Sequence, residues 1–347
     1  MNINILKGHV HRITAISISP DGQNIISGSS GPNGRLFITD IAGNIVKNYN
    51  YYSMNGINCI VYNNNGTKFI CGNSNGNIYI YNTDNCIIFK KINVGSPIIL
   101  SIALNNDNMK LVTGHKDNYI RIWNTENNNL LNTLNYHNGY VYSVAFNHDG
   151  TKIVSGSADK TVCIYDVILE KLLYRIPFHT KFVYSVQFSP NGNKIVSGSG
   201  DEKVRIIDSN TGKILLILRG HTSAVYSTVF SRDGTKIISG GADSYICIWD
   251  TNTGLLFSKM YYHKSTIYHL SFSLDGEKLL SGSSDNAMCL CDWTKILQKI
   301  SIDIIIVLVN IIRNTNININ VNNIIFDYIY GTNDGLYFQI LINNILV

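Results

Sequence analysis

The chain has 347 residues, a formal net charge of +5, and 15% charged residues. So small a charge over such a length argues against a nucleic-acid partner. The opening residues show no basic segment followed by an apolar core, so no secretory leader is expected. The most apolar run, Ile304 to Ile312, is about half of the roughly 20 residues that span a bilayer. The expectation is a protein of the cell interior, cytoplasmic with the nucleus left open, and no membrane partner.

In chain order, Ile5-Leu6-Lys7-Gly8-His9 comes first, and Ile217-Leu218-Arg219-Gly220-His221 mirrors it. The chain therefore starts with the last strand of a unit whose first three strands are missing. A first repeat follows through Asp21-Gly22, Ser27-Gly28 and Thr39-Asp40, its second turn lengthened by Gly31-Pro32-Asn33-Gly34. The second runs through Asn65-Gly66 and Cys71-Gly72 to Tyr81-Asn82 and lacks the histidine. The third runs from Gly95 through Thr113-Gly114 and Asp117 to Trp123-Asn124.

From there the pattern becomes regular. His137, His179, His221 and His263 are 42 residues apart, and Asp159, Asp201, Asp243 and Asp285 each follow 22 residues later. A period of about 40–45 residues indicates a radial array of four-stranded sheets. The sixth repeat is the clearest. Its predicted strands are Val225 to Phe230, Thr235 to Gly240, Tyr245 to Trp249 and Leu255 to Lys259. Arg232-Asp233-Gly234 and Ala242-Asp243-Ser244 turn the chain between them.

The repeats occupy residues 1–292, and residues 293–347 form a divergent Ile/Asn-rich tail. Lys295 to Ile300 reads as the outer strand of the seventh repeat. Three strand-like runs follow, Ile304–Val309, Asn323–Tyr330 and Leu336–Leu341. With residues 3–7 they would build a degenerate eighth blade. The tail has no GH or WD pair, and Asn314 to Asn323 is low in complexity. The alternative is an appendage on a seven-bladed ring; the eight-bladed reading is preferred.

These motifs resemble the WD-repeat β-propeller family over residues 3 to about 292. The resemblance implies an all-β fold of seven recognisable four-stranded blades. It also implies a buried tetrad of the GH histidine, a second-strand Ser or Thr, the turn Asp and the WD tryptophan. His221, Ser239, Asp243 and Trp249 supply all four, as structural and not catalytic residues. Tyr165, Ile207 and Cys291 replace the Trp in the fourth, fifth and seventh repeats, and those networks should be partial. The second repeat, with Asn75 for Asp and Tyr81 for Trp, should be looser still. Cys163, Cys247 and Cys289 each fall four residues after a repeat Asp, which reads as a buried small apolar site and not as a metal ligand. No metal and no cofactor is expected.

The family commonly docks partners on the narrower rim of the ring. The positions that the resemblance assigns there hold Tyr142, Tyr184, Tyr226 and Tyr268 five residues after each regular histidine. Tyr140 and Phe182 stand three residues after it, beside Ala224 and Thr266. Arg12 and Thr14 are the first-repeat equivalents. Lys116, Ala158, Gly200, Ala242 and Ser284 precede the turn Asp. An arc of six aromatics with cations at Arg12 and Lys116 is thus expected, and Tyr184 and Tyr226 should be exposed enough that truncating both barely affects the fold. One Tyr copied by duplication of the later blades, a packing residue around the channel, is the competing reading.

The expected function is a non-enzymatic scaffold or adaptor presenting a protein or peptide partner, the ring being a monomer within a complex. A substrate receptor of a ubiquitin ligase is the alternative. It is weakened because no Arg stands at the required place after Tyr165-Asp166, Ile207-Asp208 or Trp249-Asp250. A propeller enzyme ranks third, because no carboxylates cluster beyond the turn Asp residues.

Overall fold

The computed structural model describes residues 3–31, 35–50, 56–85, 87–95 and 97–300. The first strand is β1 (Ile3–Lys7). Blade 1 follows as β2 (Ile13–Ile18), β3 (Asn24–Ser29), β4 (Arg35–Asp40) and β5 (Ile45–Asn50), and blade 2 as β6 (Ile57–Tyr62), β7 (Lys68–Asn73), β8 (Asn77–Asn82) and β9 (Ile88–Asn93). Blade 3 is β10 (Ile99–Leu104), β11 (Lys110–His115), β12 (Ile120–Asn124) and β13 (Leu130–Leu134). Blade 4 is β14 (Val141–Phe146), β15 (Lys152–Ser157), β16 (Val162–Asp166) and β17 (Lys171–Ile176). Blade 5 is β18 (Val183–Phe188), β19 (Lys194–Ser199), β20 (Lys203–Asp208) and β21 (Ile214–Arg219). Blade 6 is β22 (Val225–Phe230), β23 (Lys236–Gly241), β24 (Ile246–Asp250) and β25 (Leu256–Met260), and β26 (Ile267–Phe272), β27 (Lys278–Ser283) and β28 (Ala287–Asp292) begin blade 7.

Each blade is an antiparallel four-stranded sheet. The first strands of successive blades contact one another, so they line the ring's axis. The second and third strands are almost wholly buried, because both of their faces pack on neighbouring blades. One apolar cluster joins Val196 and Leu218 of blade 5 to Val225, Phe230 and Trp249 of blade 6.

The Ser-Gly or Thr-Gly pairs on the second strands have a packing reason. A Cβ on Gly240 would lie 2.7 Å from Ile267 of the next blade, and one on Gly282 would lie 3.0 Å from Ile13. Only glycine lets the second strand approach the next inner strand this closely.

The ring closes at seven blades. β1 pairs with β28 from Ile3 opposite Cys291 to Lys7 opposite Ala287. Leu6, Leu280 and Met288 share a core with Ile13 and Ile16 of blade 1. This corrects the preferred reading in which residues 3–7 complete an eighth blade; the N-terminal strand already caps the edge of the seventh. Residues 293–300 are helical rather than the outer strand expected there. The position is already taken by β1, and Trp293, Ile296, Leu297 and Ile300 recur at helical spacing. The three further strand-like runs of the tail lie outside the described residues. No helix among the described residues is long and apolar enough to cross a membrane.

Two devices of the inner strands were not legible as motifs. Every inner strand slips register by one residue near its start, as between Val141 and Ser143 against β15. The skipped residue is a β-bulge: Tyr142, Tyr184, Tyr226 and Tyr268 in blades 4–7, and Thr14, Asn58 and Leu100 in blades 1–3. The serine after the bulge then reaches across to the next blade. Ser101, Ser143, Ser185 and Ser227 accept the backbone N–H of Val144, Val186, Thr228 and Leu270 at 2.9–3.0 Å.

Candidate functional site

Beneath one mouth of the ring lie the tetrads. In blade 6, Asp243 accepts from His221 Nδ1 at 2.9 Å and from the Thr222 N–H at 3.0 Å. A carboxylate only accepts, so Nδ1 carries the imidazole proton and Nε2 is left as acceptor. Ser239 Oγ donates to that Nε2 at 2.7 Å and accepts from Trp249 Nε1 at 2.7 Å. The order Ser, His, Asp is that of a hydrolase, but Ser239 is fully buried and its oxygen is capped by the indole. It offers no nucleophile to a substrate.

The same His–Ser and His–Asp bonds recur for His137, His179 and His263. The expected indole donors are missing where Tyr165, Ile207 and Cys291 stand. Two compensations escaped the sequence reading. In blade 3, His115 sits two residues after Thr113 and bonds its Oγ1 at 2.7 Å, while Trp123 donates to the same oxygen at 2.9 Å. It takes the place of the absent repeat histidine. In blade 5, Arg205 occupies the position held by cysteine in blades 4, 6 and 7 and by Arg121 in blade 3, and reaches Asp201 at 2.8 Å and His179. Aligning the repeats would have exposed both exceptions. In blade 2, Cys71 replaces the Ser, and Tyr81 stacks on Phe69 at 4.6 Å.

Burial alone would raise the Asp243 pKa, but bonding to His221 and the Thr222 N–H outweighs it and holds the carboxyl below its usual range. Asp159 and Asp201 are held lower still, for the same reasons. Burial pushes the Cys163, Cys247 and Cys289 thiols up to about 12. Among the described residues no group of three or more His, Cys, Asp or Glu is placed to hold a metal ion.

Tyr142, Tyr184, Tyr226 and Tyr268 of the aromatic arc stand at the bulges near the starts of the inner strands of blades 4–7. A bulge frees a side chain from the pleat and re-aims it. The rings of Tyr142 and Tyr184 are 5.0 Å apart, Tyr184 and Tyr226 4.6 Å, and Tyr226 and Tyr268 5.0 Å. Tyr140 meets Tyr142 edge-on at 6.3 Å, and Phe182 lies 6.2 Å from both Tyr142 and Tyr184. Arg12 covers the Tyr268 ring at 5.5 Å, and Lys116 lies 5.1 Å from the Tyr140 ring. All eight residues singled out for the rim therefore form one unbroken series.

Their exposure is uneven. Tyr140 and Phe182 are 40% and 43% exposed, whereas the four bulge tyrosines are partly buried against each other. Tyr184 and Tyr226, expected to be exposed enough for truncation to leave the fold almost unaffected, are therefore only partly exposed. Burial first, then the neighbouring phenols Tyr226 and Tyr142, push the Tyr184 hydroxyl up to about 12. Across the mouth, Thr14 donates to the Ile57 carbonyl and Asn58 to the Ile99 carbonyl, so these polar groups are spent within the ring. Gly200 leaves room beside Tyr184: a Cβ there would lie 3.4 Å from the ring and 3.3 Å from the Lys181 stem.

A family model described as WD domain, G-beta repeat matches residues 2–39, 45–82, 90–124, 128–166, 170–208, 212–250 and 255–292. No curated protein matches the chain.

Proposed function

The chain belongs to the WD-repeat family, whose propellers are commonly protein-interaction scaffolds, and from that premise we propose that it is a non-enzymatic adaptor that docks a protein or peptide on the aromatic mouth. The supporting observation is the series from Lys116 through the six aromatics to Arg12. Rigid aromatics and Arg are the side chains that dominate binding hot spots. The ring acts as a monomer within a complex. The six cysteines among the described residues are free thiols, which fits a reducing compartment.

The test is quantitative affinity capture with two variants. Tyr140→Ala with Phe182→Ala removes the exposed anchors, and Tyr184→Ala with Tyr226→Ala removes the central pair. At about 2 kcal/mol per hot-spot residue, each double variant should weaken the captured partner by about 100-fold or more. The exposed pair should leave the melting temperature nearly unchanged. Retention of every wild-type partner by both variants would refute the reading.

A further inference from the structure

We infer that the ligand of this mouth is an acidic peptide segment, its carboxylates held by Arg12, Lys116 and Lys181 and its apolar side chains seated on Tyr140 and Phe182. The inference rests on the mouth being the docking surface, and adds the chemistry of what docks. Charge carries it. Arg12, Lys116 and Lys181 are exposed, and among the described residues none of them is in an ion pair. Arg12 is steadied by a 3.1 Å bond from its Nε to Ser30. The Lys181 stem lies beside Gly200 and Tyr184, near the middle of the arc.

The carboxylates of the same turns are already engaged. Asp117 is paired with Arg121 at 2.6 Å, Asp159 with Arg175 at 3.2 Å, and Asp201 with Arg205 at 2.8 Å. Asp243 and Asp285 are bonded to His221 and His263. Glu202 is the exposed carboxylate left among the described residues of these turns. The mouth therefore presents free cations and spent anions, a field complementary to negative charge.

Ring geometry favours a peptide over the other ligands that aromatics attract. Arg12 and Lys116 already lie against the terminal rings of the arc, Tyr268 and Tyr140. An incoming cation would meet those charges, so a cage for a cationic side chain is disfavoured. Between the ends, neighbouring rings pack at 4.6–5.0 Å with tilts of 40–54°. Faces covered in this way offer no platform on which single-stranded bases could stack. What remains is a row of edges and hydroxyls that roughly four residues of extended chain would span.

Selection from a random-peptide display library on the immobilised full-length protein tests this directly. The enriched sequences should be acidic with interspersed apolar residues. Their binding, read by fluorescence anisotropy, should weaken with salt, and should fall at least about tenfold for Arg12→Glu, Lys116→Glu, Lys181→Glu combined. The Arg12→Gln, Lys116→Gln, Lys181→Gln variant should lose less, and thermal melts should show both variants folded. Should either variant fail to fold, the single substitutions Lys116→Glu and Lys181→Glu carry the test. Basic or neutral consensus sequences, absence of any consensus, or acidic peptides held equally by the charge-reversed protein would overturn the inference. So would tighter binding of an oligo-uridylate probe than of any selected peptide. Loss of peptide binding in Tyr184→Ala with Tyr226→Ala, without loss on charge reversal, would leave the docking surface standing and remove the acidic ligand. Insensitivity to both would remove the docking surface itself.

Discussion

Asp243→Ala should unfold blade 6 well before the side chain's size would suggest. The carboxylate accepts from His221 Nδ1 at 2.9 Å, from the Thr222 N–H at 3.0 Å and from the Tyr245 N–H at 3.3 Å. His221 is buried, and among the described residues its Nδ1 proton has no oxygen acceptor other than the Asp243 carboxylate. A bond from a buried donor to a charged acceptor contributes about 1.5–3 kcal/mol, and an orphaned donor is penalised further. The backbone bonds lie nearer solvent and add about 1 kcal/mol together. The loss should come to about 3 kcal/mol, or a fall in melting temperature of about 4 °C at about 1.4 degrees per kcal/mol for a chain this long. Asn75→Ala is the control, in a repeat that keeps neither the Ser nor the Trp of the tetrad. Differential scanning calorimetry on both variants decides the matter. Equal shifts would refute the view that a complete tetrad concentrates stability in its Asp.

Gly240→Val should cost about 2 kcal/mol or more, because its Cβ falls 2.7 Å from Ile267 and overpacking forces the blades apart; urea midpoints would check this. Deleting residues 1–8 removes β1 and the buried Leu6, so the truncated ring should aggregate through the bare edge of β28, and a soluble monomer by light scattering with unchanged melting would contradict it. Burial lowers His9, His115 and His269 from 6.5 to about 4. Their folded pKa values lie below the unfolded value, so the unfolded chain binds more protons between these limits and stability should fall as pH drops from about 6.5 toward 4. Denaturation midpoints across that window should flatten in His115→Gln; an unaltered slope would show that the histidine does not carry the effect.

How much was legible follows from where each signal is local. The blade count of recognisable repeats, the strand boundaries and the His221–Ser239–Asp243–Trp249 network were written in fixed spacings, because each blade is a near-copy whose turns need the same residues. Ring closure was not, because Ile3–Lys7 pairs with a strand about 285 residues away, and only the geometry of seven packed blades brings β28 to it. Residues 293–300 carried a helical period that a strand-based repeat frame concealed. At the mouth, the sequence supplied the identities, one tyrosine per late blade and cations at Arg12 and Lys116. It could not place them against one another. The register slip that frees Tyr142, Tyr184, Tyr226 and Tyr268 has no residue signature of its own. The slip is present in all seven inner strands, and where a serine follows it, as at Ser143, Ser185 and Ser227, that serine also bonds the next blade. Those bonds exist only once the blades stand side by side, so residue types were decided by sequence, and their convergence into one arc by the closed ring.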